Sequence, residues 1–486
     1  MQGLARGVSL PAGAAYLFWI SPLDLPLSLM TSAQILPPGE KACIIGAGIS
    51  GLTAAKALRD RNLPYDQFEM GSDIGGLWRI DNDNGRSAVY RTLHINSSRF
   101  NMELEDFPMP DDFPVFPHHT DVLQYFESYA DRFDLRDSIT FTTRVDRVEQ
   151  AGDGAWDVIL DTGERRRYGA VVVANGHHWD LRMPDFHGSF AGRMLHSHDY
   201  TDPETFSGKR VCVVGIGNSG CDIAVDLSRI ADDVILSTRS SAWILPKYIL
   251  GRPLDQWTGY WMEYLPLGLR KQMFRLLVWL TVGDQERYGV PKPDHELMEA
   301  HPTISQELLS AVGHGRVRIK PDIHRLDEHT IHFENGSRSE VDAVICATGY
   351  NVSVPFLPDS IFRAQNNHVE LYHHVVPPRQ TRLFFVGLLQ PLGSIMPLSE
   401  RQSKWVAGLL DGEVALPDRG TMQRRIREDL EAMHERYTNS PRHTLQVDFW
   451  RYVHRLEDEW KEGKKRADEQ NIPRRRELDG TERVRA

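Results

Sequence analysis

The 486-residue chain is poor in several things, and each shortage narrows what it can be. It holds only four cysteines, Cys43, Cys212, Cys221 and Cys346, with no CxxC pair among them. That excludes a dithiol redox flavoenzyme and a thiolate zinc site; buried small hydrophobes in a reducing, cytoplasmic compartment are expected instead. Positive charge is not in excess. The 56 Lys and Arg face 67 Asp and Glu, a net charge of -11, so nothing invites a nucleic-acid partner. No apolar run approaches the roughly 20 residues that a membrane-spanning helix needs. The one near the start, Ala14 to Ile20, meets Pro22, Asp24 and Pro26 and no small-residue cleavage site. Residues 1–40 are therefore expected to be a dispensable extension, with Met30 as an alternative start. The 20 histidines include adjacent pairs, His118-His119 and His177-His178, rather than pairs at ligand spacing, so no metal is expected. No nucleophile triad or paired carboxylates ask for a role.

What the chain does have is two glycine fingerprints. The first, Gly46-Ala47-Gly48-Ile49-Ser50-Gly51, follows the apolar run Ala42-Cys43-Ile44-Ile45. The second, Gly215-Ile216-Gly217-Asn218-Ser219-Gly220, follows Val211-Cys212-Val213-Val214. Each is a buried strand feeding a helix, which sets backbone N–H groups and a helix N-terminus against a pyrophosphate. The first glycine permits the tight turn, the second lets the diphosphate approach, and the third lets helix and strand pack. Two fingerprints imply two dinucleotides and electron transfer between them.

The residue that closes the second strand of each unit separates the nucleotides. Twenty-three positions after Gly46 stands Glu69, a carboxylate placed to accept from a ribose diol. The same step from Gly215 reaches Thr238, followed by Arg239. A carboxylate there would repel a 2′-phosphate, whereas Thr and Arg bind one through charge-assisted hydrogen bonds. The first site thus suits FAD and the second NADP(H). Asp73-Ile74-Gly75-Gly76-Leu77-Trp78 strengthens the FAD reading, because the Gly75-Gly76 pair allows close backbone approach and Trp78 can cover an aromatic or ribityl group.

The length calls for two or three domains. The expected fold is α/β, with two Rossmann-like dinucleotide-binding domains and the NADPH domain inserted into the FAD domain. The boundaries are expected at 41–184 for the first part of the FAD domain and 185–334 for the NADPH domain. The second part of the FAD domain, with C-terminal helices, is expected over 335–486. Residues 243–300, rich in Trp, Leu, Met and Pro, fit either a hydrophobic subdomain or a channel lining.

Between the two units runs Phe190-Ala191-Gly192-Arg193-Met194-Leu195-His196-Ser197-His198-Asp199-Tyr200. Its pattern, with Phe190, Gly192, His196 and Tyr200 at the fixed positions, resembles the identifying sequence of the flavin-containing monooxygenases. The related Baeyer–Villiger enzymes carry Trp at the last position. Ala347-Thr348-Gly349-Tyr350, Gln390 to Pro397 and Ser440-Pro441-Arg442-His443-Thr444 are also similar to family sequence. The resemblance covers roughly residues 41–450. It implies FAD held by Gly46, Ala47, Gly48, Ile49, Ser50, Gly51, Glu69, Gly76, Leu77, Trp78, Asn96 and Gln390. It implies NADPH held by Asn96, Gly215, Gly217, Asn218, Ser219, Gly220, Cys221, Asp222, Thr238 and Arg239. Asn96 is the implied catalytic residue, beside the flavin, supporting a C4a-hydroperoxide that oxygenates nitrogen or sulfur of a small amine or sulfide with O2. In a bare sequence reading, Asn96 is a turn residue and His196 a satisfied structural histidine. A homodimer is the family expectation, and no stable membrane anchor is expected. Baeyer–Villiger oxygenation, amino-acid N-hydroxylation and a non-catalytic FAD/NADP redox sensor remain alternatives at this point.

Overall fold

The computed structural model describes residues 33–257, 265–297, 299–300, 302–436 and 444–478. The expected extension up to residue 32, and Ser440 to His443 of the family-like segment, lie outside the described residues. In chain order the elements that position the site are β1 (Ala42–Ile45), α1 (Ile49–Arg59), β2 (Tyr65–Phe68), α2 (His119–Arg132), β3 (Ile139–Thr140), β4 (Ala170–Val173), β5 (Arg193–His196), β6 (Arg210–Val214), α3 (Asn218–Leu227), β7 (Asp233–Ser237), β8 (Ile244–Leu245), β9 (Thr303–Ile304), β10 (Arg318–Lys320), β11 (Ala343–Cys346), β12 (Leu383–Phe385) and α4 (Met396–Asp411).

The short, unbroken apolar runs become the centres of two parallel sheets. The first has strand order β12-β4-β1-β2-β3, the second β5-β11-β6-β7-β10. In each, the fingerprint strand lies in the middle. Its βαβ partner is on one side (β2 or β7) and a strand returning from far along the chain is on the other (β4 or β11). Side chains alternate across a strand, yet every position is apolar because both faces are covered. Ala42 and Ile44 enter one hydrophobic cluster, Cys43 and Ile45 another. Val211 and Val213 face one side of the second sheet, Cys212 and Val214 the other. All four cysteines are buried and unbridged, as their apolar settings implied.

The two halves of the first unit meet where α1 packs on α4. Thr53 Oγ1 lies 3.0 Å from Ser403 Oγ, and Ser50 Oγ 3.1 Å from Ser399 Oγ. Residues 243–300 carry a small satellite core of Leu245, Phe274, Val278 and Leu297. Among the described residues no helix is long and apolar enough to cross a membrane.

Two expected boundaries move. The second unit does not end at 334, because β11 pairs with both β5 and β6, and the first sheet regains a strand only at β12. An Asp-Ala-Val-Ile-Cys run reads equally well as a strand of either sheet; only pairing decides. Nor is all of 1–40 dispensable. Leu36 is fully buried in the first core, its N–H donates to the Leu410 carbonyl at 2.9 Å, and the Gln34 side chain accepts from the Arg382 N–H.

Candidate active site

The two fingerprints fold into the same local shape. Gly46 and Gly215 sit at φ +108 and +109, a left-handed conformation that favours glycine. A Cβ at Gly51 would lie 2.0 Å from the Gly46 carbonyl oxygen, and one at Gly220 would lie 1.8 Å from that of Gly215. The third glycine of each motif is therefore required for helix to touch strand. The helix N-caps, Gly48 and Gly217, contribute no side-chain hydrogen bond, so the first-turn N–H groups are left to an anion.

A cavity of about 590 Å³ opens at the carboxyl ends of β1 and β4, where the strand order of the first sheet reverses. Of the residues expected at FAD, it brings together Gly46, Gly48, Ile49, Ser50, Glu69, Gly76, Leu77, Trp78, Asn96 and Gln390. Ala47 and Gly51 stand behind the wall as support. The two glycine-bearing loops face each other: a Cβ at Gly48 would be 3.7 Å from Gly76 Cα. Glu69 is 5 % exposed and accepts from the Ala47 N–H at 2.7 Å, the Gly71 N–H at 2.8 Å and Asn84 Nδ2 at 3.1 Å. A carboxylate so held is fixed in place with one Oε2 lone pair remaining for a ribose hydroxyl. Asn96 lines the same cavity, and its buried Oδ1 has no partner. An orphaned amide oxygen, bare glycine backbone, uncapped helix N–H groups and a poised carboxylate together fit a flavin dinucleotide.

Of the second set, Asn218 reaches this cavity, with its Oδ1 accepting from the Ile304 N–H at 2.8 Å. Thr238 and Arg239 lie at the end of β7, where the Thr238 hydroxyl accepts from the Ser241 N–H at 3.0 Å and Arg239 is exposed. The side chains of Cys221 and Asp222 have protein partners. Cys221 is fully buried with Sγ toward the Ile216 carbonyl, and Asp222 accepts from Tyr90 Oη at 2.9 Å. Helical periodicity turns both side chains away from the nucleotide end. Burial raises the Asp222 carboxyl to about 6.

The signature segment is structural. Gly192 is forced by space, since a Cβ there would lie 2.5 Å from the Asp342 carbonyl oxygen and 2.7 Å from the Phe190 ring. His196 is buried with both nitrogens engaged: Nδ1 accepts from the His198 N–H at 3.1 Å, which leaves Nε2 to donate to the Gly349 carbonyl at 3.1 Å. Burial lowers its pKa. Tyr200 Oη donates to Asp226 on α3 at 2.9 Å.

Sequence reasoning missed part of the wall. Asn84, Arg86 and the His177-His178-Trp179 turn line it, with the Arg86 guanidinium 3.7 Å above the Trp179 ring. His177 Nε2 is buried without a partner, and burial pushes its pKa well down. The signal available was position alone, because loops after parallel strands collect at the ligand end of the sheet.

Comparison with known proteins agrees with this geometry. A family model, flavin-binding monooxygenase-like, matches residues 39–462. Flavin-containing monooxygenase 5 of Oryctolagus cuniculus is 38% identical over 448 residues, covering 86% of this chain and 82% of that protein. Dimethylaniline monooxygenase (N-oxide-forming) 2 of Macaca mulatta is 35% identical over 440 residues, with the same two coverages, 86% and 82%. Among solved structures, the S-allyl-L-cysteine S-oxygenase of Allium sativum shares the fold at TM-score 0.65 and 24% identity, covering 88% of each chain. A steroid monooxygenase bound to NADP does so at TM-score 0.65 and 19% identity, covering 88% of this chain and 98% of that one. The chain belongs to the flavin-binding monooxygenase-like family and is an FAD- and NADPH-dependent monooxygenase.

Proposed function

We propose that the enzyme oxygenates the nucleophilic nitrogen or sulfur of small amines and sulfides. NADPH, a proton, O2 and the nucleophile become NADP⁺, water and the N- or S-oxide. The observation that carries this reading is Asn96, which lines the cavity that the first fingerprint shares with Asn218 of the second and whose buried Oδ1 has no hydrogen-bond partner. FAD, when bound, supplies hydride acceptance and oxygen activation.

The chain's own groups supply position and dryness. The N–H groups of Ile49 and Ser50 face the diphosphate at the α1 N-terminus, and Glu69 takes the ribose diol. Gly76 lets the backbone come close, while Leu77, Trp78 and Gln390 wall the ring system. Thr238 and Arg239 bind the 2′-phosphate of NADPH. Asn96 is matched to oxygen chemistry because a neutral amide donates and accepts without a labile proton of its own. His177, held neutral by burial, adds no charge to the site. The relatives named for N-oxide and S-oxide formation support nitrogen and sulfur as the acceptors. Four free, buried thiols support a reducing, cytoplasmic setting.

The test is product analysis by mass spectrometry over amines, thioethers and ketones, run on the wild type and on Asn96→Ala. N- or S-oxides from the wild type, with Asn96→Ala diverting about tenfold more of its NADPH to hydrogen peroxide, are expected. Exclusive ester or lactone formation from ketones, or unchanged coupling in Asn96→Ala, would overturn the reading.

A further inference from the structure

We propose that Lys247 is a positioning residue, through which the second nucleotide unit fixes where Asn96 points. The inference rests on the role of Asn96 given above. Residues 90–98 form an irregular loop of the first unit, tied within that unit around the His94 to His118 bridge: the Ile95 N–H donates to the Pro117 carbonyl at 3.0 Å, the His119 N–H to the Leu93 carbonyl at 3.0 Å, and His118 Nε2 to the Arg91 carbonyl at 2.7 Å. An irregular loop takes its position from what grips it. A second set of grips comes from the second unit and its following segment. Tyr90 Oη donates to Asp222 at 2.9 Å, Thr92 Oγ1 donates to Asp226 at 3.0 Å, and the Ser98 N–H donates to Asp255 at 2.6 Å.

The bond nearest Asn96 is the one from Lys247. Its Nζ donates to the Ile95 carbonyl at 2.9 Å. That carbonyl belongs to the peptide whose N–H is that of Asn96, so a charge-assisted bond to it fixes a peptide plane adjoining the Asn96 Cα. The ammonium is itself confined, 5.1 Å from the Phe116 ring centroid, and the negative charge of Asp222 attracts it.

Lys247 is also tied to the second fingerprint. It follows β8, which pairs with β9. From β9, Thr303 Oγ1 donates to the Ile216 carbonyl at 2.8 Å and the Ile304 N–H donates to Asn218 Oδ1 at 2.8 Å. A continuous chain of bonds thus runs from the second glycine turn through two short strands and one lysine to Asn96. A parallel route runs along α3, through Asp222 and Asp226 to Tyr90 and Thr92. Because Lys247 does not line the cavity, it acts on the site only through the loop.

The experiment compares Lys247→Met and Lys247→Arg in the FAD-loaded enzyme. Hydrogen–deuterium exchange of the amides of residues 95–98 is measured with and without NADP⁺, alongside the share of NADPH electrons released as hydrogen peroxide and the KM for NADPH. Lys247→Met should speed exchange about tenfold and raise the peroxide share several-fold, with KM changed by less than about twofold. Lys247→Arg, which keeps a donor, should restore most of both. Unchanged exchange in Lys247→Met would overturn the proposal. So would lowered stability and raised KM with coupling intact, the pattern of a contact that only joins domains. Should Lys247→Met not fold, Thr92→Val and Tyr90→Phe cut the neighbouring grips from the first-unit side and must loosen the same amides. Asn96→Ala runs in parallel. If it stays coupled while Lys247→Met frees the loop, the role of Asn96 fails and the exchange still supports Lys247 as what holds it.

Discussion

The first fingerprint permits a separation of folding from cofactor binding, one glycine at a time. A Cβ at Gly51 would lie 2.0 Å from the Gly46 oxygen and 2.9 Å from its carbonyl carbon, both backbone atoms that cannot turn aside. Helix α1 must then lift from β1 by roughly 1 Å, an overpacking of on the order of 3 kcal/mol. The apo protein should lose about 6–12 °C in Tm. Gly48 is different. Its φ of -73 suits any residue, and its added Cβ would meet only Gly76 Cα at 3.7 Å, an ordinary contact. As an N-cap change, Gly48→Ala should cost about 1 kcal/mol or less. Yet that methyl closes what is left of the gap between the two glycine-bearing loops, against which the diphosphate is proposed to lie. FAD affinity should fall about 100-fold, roughly 2.7 kcal/mol. Differential scanning fluorimetry of apoprotein and FAD titration followed by fluorescence quenching measure the two effects separately. A Gly48→Ala variant that purifies with full flavin content would refute the assignment of that gap to the cofactor.

Three further outcomes follow from the geometry. Arg239→Ala should weaken NADPH by about 10- to 100-fold, roughly 1.5–3 kcal/mol, and leave NADH nearly untouched; equal losses for both in steady-state kinetics would contradict the 2′-phosphate role. Burial raises Asp222 to about 6, so the folded state keeps an extra proton between the ordinary carboxyl value and that pH. Its stabilising contribution is complete below about pH 4 and is lost as pH rises through 6, on the order of 2–3 kcal/mol in total. Asp222→Asn keeps an acceptor for Tyr90 and should flatten that slope in Tm measured from pH 4.5 to 7.5; parallel curves would count against it. His196, with both nitrogens engaged, should not appear in the pH–rate profile: His196→Gln should lose about 1–2 kcal/mol of stability and leave the acidic limb unmoved. Loss of an acidic-limb ionisation in the variant would give His196 a proton-transfer role after all.

The parts of this molecule that were legible in its sequence are those where local pattern and tertiary need coincide. An apolar tetrapeptide before a glycine turn has one stable use, so both fingerprints, Glu69 and the order of the two units could be read directly. Where the Cys221 and Asp222 side chains go was not legible, because proximity to a motif says nothing of which way a helical side chain points. The β11 strand was assigned to the wrong unit because buried strands look alike until they pair. Asn84, Arg86 and His177 were missed for a related reason, as they belong to loops whose only common property is the end of the sheet they reach. Lys247 was beyond reach, since its partner is a backbone carbonyl 152 residues away.

The return of the chain to its first sheet sets an order of assembly. Every strand of the second sheet is available once Cys346 has been made, whereas the first sheet lacks an edge until Leu383–Phe385, and α1 lacks its cover until Met396–Asp411. During synthesis the inserted unit can therefore close while its host stands open, with the apolar back of α1 exposed. The host unit begins first and finishes last. Truncations near residue 400, far from any glycine motif, should consequently abolish flavin binding while sparing the fold of the inserted unit.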